Sequence, residues 1–217
     1  MKLVPPQSSE AVILKKLLTI EDPRNPILPG IHITKLVSAP SYSLVYMPEG
    51  KQIVVYPDHA VHLLDLAIQF VSGVLFLHDH NIAHLDIKKD NLLLSSTTGK
   101  LSIIDFSLSR FVENSTTLTG FRGTQGCVAP EIDKGRPFSP FLADRWACGK
   151  ILKDMDRAHS GIQSAPGILA QALYLTEADP LRRPPLDLVL VYLRGLQKVA
   201  SYRAPRNLKR NRESYPN

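Results

Sequence analysis

An acid, a lysine and an amide stand close together near the middle of the chain: Asp86, Lys88 and Asn91, within His84-Leu85-Asp86-Ile87-Lys88-Lys89-Asp90-Asn91. A positioned carboxylate can take the proton of a hydroxyl, an ammonium can neutralise a phosphate, and an amide oxygen can help to hold a hard cation. This polar octet lies between an apolar, helix-like segment and the strand-like run Leu92-Leu93-Leu94. A further acid, Asp105, closes a second apolar run, Leu101-Ser102-Ile103-Ile104.

The elements that must position these groups follow from apolar spacing. Leu63, Leu66, Ala67, Phe70, Val74 and Leu77 recur at three and four residues and predict a long helix over His59–His78, leading straight into the octet. Leu92–Leu94 and Leu101–Asp105 predict strands joined by a polar turn over 95–100. Upstream, Glu10–Thr19 has helical spacing, with Val12, Leu14, Leu17 and Leu18 on or near one face and Ser8 or Ser9 as its cap. Pro23 and Pro26 bar its continuation. Ile31–Val37 and Tyr42–Met47 predict short strands. Pro48–Lys51 reads as a turn and Gln52–Tyr56 as the return strand of a hairpin in one small sheet. Residues 106–127 are irregular and polar, and a loop of that length is functional or disordered. Ser115, Thr116, Thr117 and Thr119 cluster within it, as phosphorylation sites or as a solvated loop. Helices are expected near 141–155, 166–176 and 185–198.

A chain of 217 residues with 44% hydrophobic and 21% charged residues can bury a good core. The net charge of +6 is partly carried by the tail, so it is weak evidence for an acidic partner. Two cysteines, Cys127 and Cys148, make no disulfide framework and suit a reduced intracellular setting, cytoplasmic or nuclear. No apolar run reaches the roughly 18–20 residues of a membrane helix, and no membrane partner is expected. Lys209-Arg210-Asn211-Arg212 reads as a solvated tail rather than a nucleic-acid patch. His78, His80 and His84 invite a metal reading, but no cysteine joins them, and a helix end followed by a loop explains them.

The octet resembles the catalytic loop of protein kinases, with Leu85 in place of arginine. Fourteen residues after Asn91 stands Asp105-Phe106-Ser107, like the Asp-Phe-Gly motif with serine for glycine. Gly123-Thr124-Gln125-Gly126-Cys127-Val128-Ala129-Pro130-Glu131 is similar to the end of an activation segment. Asp144-Arg145-Trp146-Ala147-Cys148-Gly149 and Asp179-Pro180-Leu181-Arg182-Arg183-Pro184 match later motifs in order. The resemblance covers about residues 10–198. It implies an α+β, protein kinase-like fold with a mainly helical C-terminal lobe (58–200). The N-terminal lobe is expected as a remnant (10–57), preceded by a loose lead-in (1–9) and followed by a basic, disordered tail (201–217).

It also implies ATP and magnesium as cofactors and a protein Ser/Thr hydroxyl as substrate. Asp86 would be the base and Lys88 a charge beside the phosphate. Asn91 and Asp105 would be the magnesium ligands, and Thr124 a substrate-side residue. Glu131 and Arg183 would pair as a buried ion bridge, and Asp144 would hydrogen-bond the catalytic-loop backbone. The nucleotide hinge is placed at Val54–Asp58, with Tyr56 touching the nucleotide, in preference to Leu44–Pro48. Without the arginine that Leu85 replaces, a switch by activation-loop phosphate is less expected.

The N-terminal part departs from the family pattern. No Gly-x-Gly-x-x-Gly occurs, Gly30 is the first glycine, and no Val-Ala-Ile-Lys strand is found. Glu10 is the counterpart of the helix glutamate and is expected to lack a lysine partner, since Lys15 and Lys16 share its helix. Two functions compete on this footing. One is a Ser/Thr protein kinase. The other is a pseudokinase-like module that binds a protein partner on the uncovered N-lobe side, around Val12, Leu14 and the strands.

Overall fold

Lys2–Val4 is a strand, β1, where Pro5 and Pro6 predict a loose lead-in. In this computed structural model, which describes residues 1–35, 41–46, 51–52, 60–95, 98–159 and 166–210, β1 lies antiparallel to β3 (Ser43–Tyr46). β3 also pairs with β2 (His32–Lys35), giving the order β1-β3-β2. Leu3 sits opposite Leu44, and Val4 is buried. Pairing with a strand some forty residues away holds these three residues, and no local pattern announces it.

Helix α1, Ser9–Leu18, follows. Ser8 has extended backbone (φ −63°, ψ 151°), and its Oγ accepts from the Ala11 N–H at 3.2 Å. A cap of this kind stabilises a helix by about 1 kcal/mol. At the other end the Asn25 amide donates to the carbonyls of Leu17, in the last turn, and Ile20, just past it, at 2.8 and 3.0 Å. The buried stripe is Glu10, Ala11, Ile13, Leu14 and Leu17. Val12 and Leu18 lie outside it, at 45% and 42% exposure. The face proposed for a partner therefore loses Leu14, which is core, while Val12, Leu3 and Tyr46 remain exposed.

Both edges of β3 are taken by β1 and β2, so β3 is not the partner of Gln52 that the expected hairpin requires. β4 (Lys51–Gln52) pairs with β6 (Leu92–Leu94), which pairs with β7 (Leu101–Ile103) in a second sheet. The apolar β6 run offers β4 a partner already fixed against the core. Residues 48–50 of the expected turn and most of the return strand, including Tyr56, lie outside the described residues.

Helix α2 (Ala60–Asp79) buries Leu63, Ala67, Phe70, Val74 and Leu77. It delivers the chain to β5 (Ile82–Ala83) and the octet. β5 pairs with β8 (Arg110–Phe111), so the segment after Asp105 is partly ordered rather than wholly irregular. A short helix, α3 (Pro130–Asp133), starts on Pro130, a residue suited to a first turn. Behind them α4 (Pro140–His159) and α6 (Leu186–Arg210) pack against α2, and α5 (Pro166–Leu175) packs on α4 and α6. At Gly149 α4 meets α5 so closely that a Cβ would lie 2.8 Å from Leu175 Cβ and 2.9 Å from the Ala172 carbonyl. α6 runs past Ser201, where the sequence predicts the tail to begin. Basic residues suit the last turns of a helix, whose dipole favours positive charge.

Candidate active site

The octet follows β5 as a loop, closes in a 3-10 turn over Lys89–Asn91, and feeds β6. Leu85 takes φ +66°, a conformation costly for a branched side chain. Two restraints hold it there. The Asp144 carboxylate on α4 accepts the N–H of His84 at 2.7 Å and of Leu85 at 2.8 Å, and His78 Nε2 lies 3.0 Å from the same group. The Leu85 side chain is buried among Ala83, Val112, Ile132 and Phe138. An apolar residue thus fills the position before the acid, packed against the segment that follows Asp105.

His84 is fully buried. Its Nε2 is 3.2 Å from the Ile104 carbonyl, and its Nδ1 accepts the Asp86 N–H at 3.3 Å. Both bonds fit only the neutral ring protonated at Nε2. Burial lowers its pKa below 6.5, against the opposing pull of Asp144, the Ile104 carbonyl, Asp86 and Asp105.

Asp86, 8% exposed, is the hub. Its Oδ2 accepts from Lys88 Nζ at 2.8 Å and from the Asn91 amide at 3.1 Å; its Oδ1 accepts the Thr124 hydroxyl at 2.7 Å. Lys88 Nζ also reaches Thr124 Oγ1 at 2.6 Å. The hydrogen bond to Asp86 raises the Lys88 pKa, and burial opposes it. Asn91 Nδ2 further donates to the Asp86 carbonyl at 2.8 Å. That fixes the amide's orientation. Gly123 makes room for Thr124: it has φ +113°, and a Cβ there would lie 2.6 Å from Val128 Cγ1 and 3.1 Å from the Leu85 carbonyl.

Asp105 also sits at positive φ, +62°. Its Oδ1 accepts from Lys2 Nζ at 2.8 Å and from the Ser107 N–H at 3.3 Å. Lys2 Nζ also donates to Glu10 Oε1 at 2.9 Å. Glu10 therefore has a lysine partner within this chain, contrary to the sequence expectation. β1 carries the lysine up to α1 from only eight residues away. Burial draws the Lys2 pKa down, but the hydrogen bonds and charges of Asp105 and Glu10 outweigh it and leave it raised. For Asp105 burial pushes up, and the bonds from Lys2 and Ser107 with the Lys2 charge prevail, leaving it lowered.

Glu131 and Arg183 form a two-pronged pair, 2.7 Å on each arm, with Arg183 2% exposed. Arg183 also donates to the Glu177 and Leu142 carbonyls, tying α3 to α4 and to the stretch before α6. The three histidines do not converge: His78 faces Asp144, His80 faces the Phe76 carbonyl and His84 faces Ile104. Among the described residues no group of three or more His, Cys, Asp or Glu could hold a metal. Asn91 and Asp105 carry amide and carboxylate oxygens, the kind of donor of which magnesium takes one or two before phosphate and water complete its shell. Among the described residues no helix is long and apolar enough to cross a membrane.

Sequence reasoning missed Lys2. Its only local signal is a cation beside Leu3-Val4 just before a proline pair.

A family model described as protein kinase domain matches residues 46–168, more than half of the chain. Serine/threonine-protein kinase 17A of Oryctolagus cuniculus is 46% identical over 85 residues, covering 38% of this chain and 21% of that protein. Serine/threonine-protein kinase GRIK1 of Arabidopsis thaliana is 45% identical over 83 residues, 38% of this chain and 21% of the relative. Serine/threonine-protein kinase 36 of Mus musculus is 32% identical over 120 residues, 55% of this chain and 9% of the relative. The matched stretch spans about a fifth or less of these relatives.

Proposed function

Because this chain belongs to the protein kinase family, we propose that it transfers the γ-phosphate of ATP to serine or threonine hydroxyls of a protein. Asp86 carries this reading. Its carboxylate lies 2.8 Å from Lys88 Nζ and already accepts a threonine hydroxyl at 2.7 Å, with Lys88 Nζ 2.6 Å from that same hydroxyl oxygen. A substrate hydroxyl needs that environment: an acceptor for its proton and a cation beside the oxygen that meets phosphorus.

In the proposed step the Asp86 carboxylate orients the substrate hydroxyl and accepts its proton. The hydroxyl oxygen bonds to the γ-phosphorus as the bond to the departing ADP oxygen breaks. Lys88 offsets charge on the phosphoryl oxygens, and Thr124 lines the substrate side. Lys2, bonded to Glu10 and Asp105, is the residue for the nucleotide phosphates. Asn91 and Asp105 are the residues to hold magnesium, which when bound neutralises phosphate charge.

The chain passes from the β1-β3-β2 sheet to the β4-β6-β7 sheet between Tyr46 and Lys51. This favours Leu44–Pro48 over Val54–Asp58 as the hinge, and leaves Tyr56, outside the described residues, without a supporting observation. A binding module without catalysis rests on two features, the lack of a Gly-x-Gly-x-x-Gly in this sequence and the lack of a cation for Glu10, and Lys2 answers the second of them. Cys127 and Cys148 are free thiols, which suits an intracellular setting. The test is transfer of labelled phosphate from ATP to a generic basic protein, with Asp86→Asn as control. Transfer lost in the variant supports the reading, and equal signal from both sinks it.

A further inference from the structure

Ser9, which opens α1, donates its hydroxyl to the Ser109 carbonyl at 2.9 Å, across a sequence separation of one hundred residues. Ser109, fully buried four residues after Asp105, donates its own hydroxyl to the His84 carbonyl at 3.1 Å. Two hydroxyls thus link α1, the segment after Asp105 and the catalytic loop in series. The Ser109 carbonyl accepts a second bond, from Arg110 Nη1 at 2.8 Å. That bond comes from its own strand and does not reach α1. At the far end of α1, Lys16 lies 5.0 Å from the Phe111 ring centroid and 3.3 Å from the His80 carbonyl, so the helix also meets β8 and the turn after α2.

Ser9 immediately precedes Glu10, whose carboxylate aims Lys2. The Ser9 side chain is half-buried, and Ser8, not Ser9, supplies the cap. Helix capping therefore does not account for the Ser9 contact. We propose that Ser9 and Ser109 are positioning residues for the nucleotide, an inference that rests on the kinase reading. Their hydroxyl chain sets the distance between Glu10–Lys2 on one side and Asp105 and Asp86 on the other.

Alanine is at least as good a helix residue as serine, so Ser9→Ala folds and, through propensity alone, would stabilise α1. The lost hydrogen bond, about 1 kcal/mol, outweighs that gain, so a purely structural role predicts a lower melting temperature with no loss of nucleotide affinity. The experiment measures the Kd for magnesium–ATP by calorimetry, and the KM for ATP and for a peptide substrate. It compares the full chain with its Ser9→Ala, Ser9→Thr and Ser109→Ala variants, each with its unliganded melting temperature. Ser9→Ala is expected to raise the nucleotide Kd and KM about fivefold, the factor of one neutral hydrogen bond of about 1 kcal/mol, with the peptide KM unmoved. Ser9→Thr, which keeps the hydroxyl, is expected to restore binding, and Ser109→Ala to weaken it at least as much as Ser9→Ala. Unchanged affinity in Ser9→Ala, or Ser9→Thr binding as weakly as Ser9→Ala, overturns the inference while leaving the kinase reading intact. Failure of the unsubstituted chain to bind magnesium–ATP overturns the kinase reading and this inference with it.

Discussion

Replacing Lys2 by methionine keeps the strand and removes the ammonium that joins Glu10 to Asp105. Glu10 is 7% exposed, so its carboxylate would remain buried without a cation. Breaking a fully buried pair costs about 3–5 kcal/mol, and an exposed pair contributes about 0.2–1 kcal/mol. The Lys2 side chain is 35% exposed, and the Asp105 arm is more open still. The expected loss therefore lies between these limits, at about 1–2 kcal/mol. For a chain of this size that lowers the melting temperature by roughly 2–8 °C.

The pH dependence has a definite sign. The Lys2 pKa is raised above 10.5, so its stabilisation is complete below that pH and fades as pH rises through the folded value. The Asp105 pKa is lowered below 3.8, so its share is complete above that pH and fades as pH falls through the folded value. The difference between the two proteins should thus be constant at neutral pH and shrink at both extremes. Nucleotide affinity should fall further than stability. A charge-assisted contact of about 1.5–3 kcal/mol corresponds to about 10- to 100-fold in Kd. Thermal denaturation across pH and calorimetric titration with magnesium–ATP measure both. A Lys2→Met protein with unchanged melting temperature and unchanged nucleotide affinity would refute the role given to the bridge.

His84→Gln should flatten the acid limb of the stability curve. The folded imidazole stays neutral below pH 6.5 while the unfolded one takes a proton. The unsubstituted protein therefore loses up to about 1.4 kcal/mol per pH unit from this group as pH falls, measurable by urea denaturation between neutral and mildly acid pH. Gly123→Ala places a Cβ 2.6 Å from Val128 Cγ1 at φ +113°, and should displace Thr124 and cut phosphate transfer more than tenfold, read as kcat at saturating ATP. Arg183→Met leaves Glu131 buried and unpaired and should destabilise the fold by about 3–5 kcal/mol in chemical denaturation. Adding Glu131→Leu should recover part of that loss.

The C-terminal lobe was legible because each of its parts declares itself locally. α2 is long enough for the spacing of Leu63, Phe70, Val74 and Leu77 to fix its face, and Asp86, Lys88 and Asn91 lie within one turn-bounded loop. The N-terminal part was not, because its order comes from partners distant in sequence. Three residues of β1 show no period, and Lys2 becomes informative only once β3 aligns it and α1 brings Glu10 alongside. The same holds for β4: turn chemistry at Pro48–Lys51 favours a local hairpin, whereas β6 supplies a better-anchored partner. On α1 the apolar count named Val12 and Leu18, yet the neighbouring elements select the stripe through Glu10, Ile13 and Leu17. Glu10 is buried there against hydrophobic expectation because Lys2 pairs with it.

The central claim is that Asp86 serves as the base in phosphate transfer. Its most direct measurement is the rate of labelled-phosphate transfer from magnesium–ATP to a generic basic protein by the 217-residue chain and by its Asp86→Asn variant, with nucleotide affinity measured alongside. The predicted result is transfer by the unsubstituted chain and a fall of about 100-fold or more in the variant at nearly unchanged nucleotide affinity. Equal transfer by the two proteins, or none by either, would contradict it.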